Sequence, residues 1–299
     1  MAQVKLKEIL RLAFSKHEME SIASDLLLDC EVEKVLNIED FVSEVSAHEV
    51  RTRSGPHRKK EWEEGWAGTG TIFDDTLSEE VPYYFSTSRY LRVKSEVYLD
   101  RAGFLELHAL RCLQKISFLF LAKHEKDLSA EAVCEYGAGI GSNIKFLQNQ
   151  FPGFRFYGAD WVESARRRIN INCGIPMDRI YKVDFFDSYT FQSPGENFIA
   201  FTNAALEQCG NQAKSFLHYL VSNKRCLYGI HIEPVIELMD TSEPLDRQSA
   251  SYIENRGYLK GLLPTLAALP EIEIIKVRNY GIGSKYLSGY QVIIWQKTK

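Results

Sequence analysis

Apolar positions recur at the spacing of an α-helix through the first 50 residues of the chain. They predict three short helices, and Asn37 stands where the third would take its N-cap. These apolar positions are Leu6, Ile9, Leu10, Ala13, Phe14, Met19, Ile22, Leu26, Leu27, Ile38, Phe41, Val42 and Val45. Residues 1–50 are therefore predicted to form a small helical appendage.

Residues 51–95 break this regularity. A basic run at 51–60 is followed by Trp62 and Trp66, by a polar, turn-rich stretch at 68–80 and by an aromatic group at 82–85. Long irregular segments are usually functional or disordered, and the aromatic content of this one argues against disorder. We expect residues 1–95 to form a helical cap with an aromatic lid segment.

From residue 96 onward the pattern is that of an α/β domain. A broad apolar face predicts a long helix over 96–124, and alternating strands and helices follow it. Strands are predicted at 131–136, 154–160, 179–184, 197–202, 226–232, 272–278 and 290–296, and helices at 142–151, 162–173, 210–222 and 249–268. This alternation predicts a mostly parallel sheet with helices on both faces. The last two strands lack an intervening helix, so we expect a hairpin with an antiparallel strand.

The composition is that of a globular protein and does not identify the function. The chain has 299 residues, 45% of them hydrophobic and 25% charged, which is ordinary for a globular protein. A net charge of -4 gives no electrostatic case for binding nucleic acid or an anionic membrane. The six cysteines are scattered without a Cys-x-x-Cys pair, which favours reduced thiols in a cytoplasmic protein and no metal site. A transit peptide at residues 1–16 is the alternative for localisation.

The strongest chemical signal lies at the end of the first predicted strand of this domain. Glu135 is followed by three alternating glycines, Gly137, Gly139 and Gly141, and then by a helical pattern. Glycines let the backbone turn tightly and let a ligand approach closely, and a helix N-terminus presents free N–H groups. Asp160 closes the next apolar run, about 20 residues later, where a ribose-binding acid is usual. The pattern predicts a nucleoside-cofactor site, with a purely structural turn as the alternative.

The spacing distinguishes two kinds of nucleoside cofactor. A dinucleotide fingerprint requires G-x-G-x-x-G, whereas Ser142 occupies the third glycine's place here. Glu135 would also direct a carboxylate at a pyrophosphate, and it suits a cationic amino group better. An NAD-dependent oxidoreductase is therefore the weaker alternative.

These residues resemble the E-x-G-x-G-x-G motif of class I S-adenosylmethionine-dependent methyltransferases. The resemblance covers about residues 130–299 and implies a methyltransferase domain over 96–299. It implies a seven-stranded sheet in the order 3-2-1-4-5-7-6, with strand 7 antiparallel. It also implies S-adenosyl-L-methionine as cofactor.

The resemblance assigns the cofactor's polar groups to the first two strands. It places the methionyl ammonium at Glu135 and the methionine and ribose portions over Gly137, Gly139 and Gly141. It places both ribose hydroxyls at Asp160, although this residue can instead cap the following helix.

Three later segments complete the implied cofactor site. Trp161 is expected to stack on adenine or to be a core residue. Asp184 and Phe185 are expected beside the adenine, with a turn-forming role as the alternative for Asp184. Asn203 ends the fourth strand, where backbone carbonyls are expected near the methionyl amine.

Catalytic candidates follow the fourth and fifth strands. Methyl transfer to a hydroxyl usually needs a base. Glu207, His231 and Glu233 are the predicted candidates, His231 as the base with Glu233 orienting it. A hydrogen-bonded structural histidine is the alternative, and a metal-ligating pair is a weaker one.

The lid segment supplies the predicted acceptor-binding residues. Aromatic side chains are expected to stack on a sugar or flat acceptor, and arginines to hold a carboxylate or phosphate. These residues are Trp62, Trp66, Tyr83, Tyr84, Arg89 and Arg92. The tryptophans can instead fix the cap to the main domain. The basic run at 51–60 can bind an anionic acceptor or be a solvated loop.

The predicted reaction is O-methylation of a small-molecule hydroxyl, on a sugar or secondary metabolite. Asn203-Ala204-Ala205-Leu206 departs from the Asn/Asp-Pro-Pro-Tyr/Phe motif of many base methyltransferases, which argues against a nucleic-acid substrate. The alternatives are a protein methyltransferase and a non-catalytic cofactor-binding partner subunit. The sequence does not fix the oligomeric state, and a homodimer is compatible with it.

Overall fold

The computed structural model describes residues 3–22, 31–48, 52–68, 90–100, 105–125 and 128–298. These residues form one eleven-stranded sheet with helices on both faces. The strands are β1 (Gln3–Lys5), β2 (Glu31–Lys34), β3 (Tyr90–Val93), β4 (Glu96–Leu99), β5 (Ala132–Tyr136), β6 (Arg155–Asp160), β7 (Ile180–Lys182), β8 (Phe198–Asn203), β9 (Cys226–Glu233), β10 (Ile272–Gly283) and β11 (Tyr290–Lys297).

Several described helices match the apolar spacing, whereas α4 lies in the segment predicted to be irregular. Asn37 caps the third of them, since its side chain accepts a hydrogen bond from the backbone N–H of Asp40 at 3.2 Å. The helices are α1 (Leu6–Ala13), α2 (Lys16–Ile22), α3 (Ile38–Ala47), α4 (Lys59–Gly68), α5 (Leu105–His124), α6 (Ser142–Gln150), α7 (Glu163–Cys173), α8 (Ala213–Ser222), α9 (Pro244–Arg256) and α10 (Leu262–Ala267). None of these described helices combines the length and the apolarity needed to cross a bilayer.

Seven strands follow the predicted order, but the predicted strand count is wrong. From one edge the sheet runs β7-β6-β5-β8-β9-β11-β10, which is 3-2-1-4-5-7-6 for these seven. Strand β11 is antiparallel to both of its neighbours. The other four strands, β1 to β4, continue the sheet beyond β10, so residues predicted as a helical cap with a lid segment, and the first residues of the helix predicted over 96–124, extend the sheet.

A hairpin explains one error. Strands β3 and β4 pair around a turn at Lys94 and Ser95, and β4 occupies the first residues of the helix predicted over 96–124. Lys94 adopts φ 58° although it is not glycine. The turn therefore forms without the Asn-Gly pair that usually marks a tight hairpin in a sequence. The described helix α5 begins only at Leu105. The predicted domain boundary between residues 95 and 96 falls in this turn, and the division into two domains stays a prediction.

A second error concerns the helix predicted over 249–268. Two helices, α9 and α10, occupy this range. Gly257 ends α9 in the left-handed region at φ 65°, and Gly261 precedes α10 at φ 80°. The break matters for the site, because the backbone N–H of Leu259, within it, donates to the carbonyl of Glu207 at 2.9 Å in the segment that follows β8.

The sheet separates two apolar clusters, and alternate residues of each central strand belong to different clusters. In β5, Val133 packs with one cluster and Cys134 with the other. Strands β5, β6, β8 and β9 are parallel, so their carboxyl ends meet at one edge. Ligands bind at this edge in open α/β sheets.

Candidate active site

A pocket opens at the carboxyl ends of β5, β6 and β8, beneath helix α4. Most of the described residues that line it come from the glycine loop, from the segments after β6, β7 and β8, and from α4 with the turn before it. They are Ser54, Gly55, Arg58, Trp62, Trp66, Gly137, Ala138, Gly139, Ile140, Ser142, Asn143, Asp160, Trp161, Val183, Phe185, Phe186, Asn203, Ala204, Ala205, Gln208 and Cys209.

The loop after β5 requires its glycines. Gly137, Gly139 and Gly141 have φ angles of 75°, 54° and 84°, which side chains rarely adopt. A Cβ on Gly137 would lie 2.5 Å from Cβ of Ala205, and one on Gly139 would lie 3.0 Å from Cζ2 of Trp66. The loop therefore passes closely between the segment after β8 and the roof that α4 forms.

Asp160 fixes the loop from the next strand. Its carboxylate accepts hydrogen bonds from the backbone N–H groups of Gly139 at 3.0 Å and Val162 at 3.1 Å. The residue is 5% exposed and lines the pocket, and burial raises its pKa to about 6. The bond to Val162, the N-cap residue of α7, matches the capping alternative, and the position in the wall matches a ligand-binding role.

Glu135 lies beneath the loop with one oxygen unsatisfied. Oε1 accepts a hydrogen bond from Nδ2 of Asn143 at 2.6 Å, whereas Oε2 is buried without a partner. Nε2 of Gln114 donates to Asn143 at 2.8 Å and, at 3.4 Å, to Asn203. Burial raises the pKa of Glu135 to about 8. Asn143 and Asn203 line the pocket, so this amide network joins the buried acid to the pocket wall.

Aromatic side chains surround the other end of the pocket. Trp161, Phe185 and Phe186 all line it, and the rings of Trp161 and Phe186 have centroids 5.7 Å apart. Asp184 does not belong to the described lining, because its carboxylate accepts from the backbone N–H of Phe186 and pairs with Lys59 at 2.9 Å. Its geometry is that of the turn-forming alternative, and the predicted contact with adenine is not supported.

Helix α4 forms the roof. The rings of Trp62 and Trp66 stack with centroids 5.7 Å apart at 27°, and both line the pocket. The Glu63 carboxylate accepts from the backbone N–H groups of Glu163 at 2.8 Å and Ser164 at 2.9 Å, at the start of α7. The tryptophan-bearing helix thus both lines the pocket and is fixed to the main sheet's helices, so the two predicted roles coexist.

The remaining lid predictions divide into two groups. Tyr83, Tyr84 and Arg89 lie outside the described residues. Arg92 is a correction, because its fully buried guanidinium donates to Ser249 Oγ at 3.1 Å and to Gln248 Oε1 at 2.6 Å. It attaches the β3–β4 hairpin to α9, and because Nη1 and Nη2 are both engaged there, it is not placed to hold an acceptor.

His231 is a second correction. Trp295 Nε1 donates to His231 Nε2 at 2.9 Å, and His231 Nδ1 lies 2.9 Å from Thr202 Oγ1. Because an indole N–H only donates, Nε2 is the unprotonated nitrogen and Nδ1 carries the proton. Burial lowers the pKa of the imidazole to about 3. Both nitrogens are engaged away from the pocket, which contradicts the predicted role as a base.

Glu233 acts on the backbone rather than on His231. Its carboxylate accepts from the N–H groups of Ala205 at 3.1 Å, Leu206 at 3.2 Å and Glu207 at 3.3 Å. Burial raises its pKa to about 7. These bonds hold the turn after β8, in which Ala204 has φ 52°. Glu233 is therefore a positioning residue for pocket-lining backbone, and the predicted orientation of a catalytic histidine is wrong.

Glu207 lies directly behind the pocket wall. It is 1% exposed, and its Oε1 accepts from Nε2 of Gln208 at 2.9 Å while Oε2 has no partner. Burial, and then the neighbouring Glu233, raise its pKa to about 8. Gln208 lines the pocket and also bonds to Ser54 and Tyr258. The catalytic role of Glu207 stays a prediction.

Sequence reasoning missed part of the lining. Ser54, Gly55 and Arg58 come from the basic run at 51–60, and Gln208 and Cys209 follow the fourth strand of the main domain. The basic run was predicted either to bind an anionic acceptor or to be a solvated loop, and the position of Glu207 and Gln208 after the fourth strand was a signal, whereas nothing in the sequence marked Cys209 as pocket-lining.

Solved structures resemble the chain, whereas no family model and no curated protein matches it. The plantazolicin methyltransferase BpumL is 13% identical, with 64% of this chain and 85% of that chain covered at a TM-score of 0.46. Magnesium protoporphyrin IX methyltransferase (ChlM) from Synechocystis PCC 6803 with bound SAM is 13% identical, with 64% and 81% covered at 0.40. The mitomycin 7-O-methyltransferase MmcR is 14% identical, with 82% and 69% covered at 0.43.

All three structures are methyltransferases by name. Because these TM-scores are below 0.5, the assignment of the site rests on the contacts described above and not on the likeness.

Proposed function

We propose that this chain is an S-adenosylmethionine-dependent methyltransferase that methylates a hydroxyl of a small molecule. One observation carries the proposal. The buried, unpartnered oxygen of Glu135 lies beneath a glycine loop that Asp160 fixes from the next strand. A buried acceptor without a donor is unfavourable, and a cationic amino group relieves it.

The residues present fit this cofactor. Glu135 with Asn143 suits the methionyl ammonium, Asp160 suits the ribose hydroxyls, and Trp161 with Phe185 and Phe186 suits the adenine. A dinucleotide fits less well, since Glu135 would oppose a pyrophosphate near the loop. When bound, S-adenosyl-L-methionine supplies a methyl group on a sulfonium for in-line displacement.

The chain's own contribution is alignment and shielding. The stacked Trp62 and Trp66 cover the pocket, and Glu233 holds the backbone of the turn that borders it. With His231 engaged elsewhere, Glu207 is the remaining predicted group for accepting a hydroxyl proton. Burial and the neighbouring Glu233 raise its pKa, and its Oε1 is hydrogen-bonded to the pocket-lining Gln208.

The test is methyl transfer from labelled S-adenosylmethionine to three substrate panels: glycosides, phenols and peptides. Labelled methyl ether on a glycoside or phenol supports the proposal, and a Glu207→Gln variant should then lower turnover more than acceptor affinity. Labelling of peptides alone favours a protein methyltransferase. Binding of S-adenosylhomocysteine without transfer to any panel favours a non-catalytic partner subunit.

A further inference from the structure

A second polar cluster adjoins the pocket where α4 begins. Arg58 lines the pocket, and its side chain is only 11% exposed. Its Nε and Nη2 donate to the Glu61 carboxylate at 2.9 and 2.6 Å, while Nη1 is buried without a hydrogen-bond partner. The guanidinium lies 5.3 Å from the ring centroid of Trp62.

A second guanidinium, that of Arg256 at the end of α9, lies behind the pocket wall and is not among the described lining residues. It is 3% exposed, and its Nε and Nη1 have no hydrogen-bond partner. The guanidinium lies 5.8 Å from the ring of Tyr252 and 5.4 Å from that of Tyr258. The backbone carbonyl of Arg256 accepts a hydrogen bond from the N–H of Ser54 at 2.8 Å, and Ser54 lines the pocket together with Arg58, so both arginines border one region.

Gln208 connects this region to the pocket. It lines the pocket, and its Nε2 donates to Tyr258 Oη at 2.8 Å. Three buried nitrogens of Arg58 and Arg256 have no hydrogen-bond partner, whereas the neighbouring Glu207 has one such oxygen. The cluster therefore has more buried donors than acceptors, and native proteins rarely leave such groups unsatisfied.

Oxyanions supply the missing acceptors. A carboxylate accepts several hydrogen bonds, and guanidinium groups bind it with matching geometry. The adjacent Trp62 and Trp66 stack offers a flat apolar surface, which suits a planar molecule. A planar acid therefore satisfies both the donors and the aromatic wall.

We propose that Arg58 and Arg256 form a subsite for the carboxylate of a planar acidic acceptor, whose flat body lies against Trp62. This inference rests on the proposed function, because it names the class of acceptor for the same pocket. Because Nε and Nη2 of Arg58 donate to Glu61, the Glu61 carboxylate competes with that of the acceptor.

The test is calorimetric titration of the whole chain, with saturating S-adenosylhomocysteine, using benzoate, the uncharged benzyl alcohol and inorganic phosphate. We expect benzoate to bind at least tenfold more tightly than benzyl alcohol. Arg58→Gln and Arg256→Gln should each weaken benzoate binding at least tenfold. Glu61→Gln should tighten it several-fold by releasing two donors of Arg58. Arg167→Gln, on an exposed side chain of α7, is the matched control and should change nothing.

Equal binding of benzoate and benzyl alcohol overturns the subsite. So does benzoate binding that neither Arg58→Gln nor Glu61→Gln alters, a result that does not depend on how Arg256→Gln folds. Phosphate binding as tight as that of benzoate overturns the planar-acid assignment. Benzoate binding that follows these variants in a protein that fails to bind S-adenosylhomocysteine supports the subsite and overturns the proposed function.

Discussion

The two ends of the pocket are built in different ways. The end at the glycine loop depends on backbone geometry within about 30 residues of chain, because one strand's loop is fixed by the acid that ends the next strand. The end at Arg58 and Gln208 depends on side chains from α4, from the segment after β8 and from α9, which are far apart in sequence. Local geometry leaves a sequence motif, whereas convergence of distant side chains does not.

The largest expected effect is a loss of cofactor binding when the glycine-loop end of the pocket alone is altered. Gly139→Val should reduce S-adenosylhomocysteine binding at least 100-fold, because a side chain at φ 54° is strained and its Cβ meets Trp66 at 3.0 Å. Calorimetric titration measures the loss. Gly153→Val is the control, since nothing lies within 4 Å of a Cβ there. Comparable binding in both variants would contradict the loop's role.

The pH dependence of the same binding separates Glu135 from its neighbours. Pairing with an ammonium requires the carboxylate form, and burial holds the pKa of Glu135 at about 8 in the free protein. Affinity for S-adenosylhomocysteine should therefore rise about tenfold per unit from pH 6 toward pH 8. In Glu135→Gln the affinity should be weaker and much less dependent on pH. A flat profile in the unmodified protein would exclude this pairing.

Substitutions of Asp160 and Asp184 compare two acids of the predicted cofactor site. Asp160→Ala should weaken S-adenosylhomocysteine binding by about 1–3 kcal/mol through loss of hydrogen bonds to a charged acceptor. Asp184→Ala should weaken it less, since that carboxylate bonds to Phe186 and Lys59 and is not in the described lining. Equal losses measured by titration would restore the predicted adenine contact of Asp184.

A substitution of His231 tests whether this residue has a structural role instead of the predicted role as a base. His231→Ala should lower the free energy of unfolding by about 1–3 kcal/mol, because Trp295 Nε1 loses its buried acceptor. Chemical denaturation measures this change, and affinity for S-adenosylhomocysteine should remain nearly the same. Unchanged stability with lost turnover would return His231 to the role of base.

The smallest expected effect concerns the roof. Glu63→Ala removes the carboxylate that caps the start of α7 and should cost about 0.5–2 kcal/mol of stability. Glu64→Ala, on the same helix with a side chain 68% exposed, serves as control. If both variants unfold alike, the contact between α4 and α7 does not stabilise the roof.

Much of the fold was predictable because its signals are local. Apolar runs and alternating glycines predicted the seven main strands, and the resemblance to the methyltransferase family predicted their order. The β3–β4 hairpin was not predictable, since Lys94 adopts φ 58° without a turn-forming sequence. The roles of His231 and Glu233 depend on Trp295 and on the turn after β8, contacts that no spacing along the chain reveals.

The cofactor class is the central claim, and one titration tests it most directly. Purified protein is titrated by calorimetry with S-adenosylhomocysteine and, in parallel, with NAD at the same pH. The account predicts binding of S-adenosylhomocysteine, its loss in Gly139→Val, and no heat from NAD. Binding of NAD without binding of S-adenosylhomocysteine would contradict it.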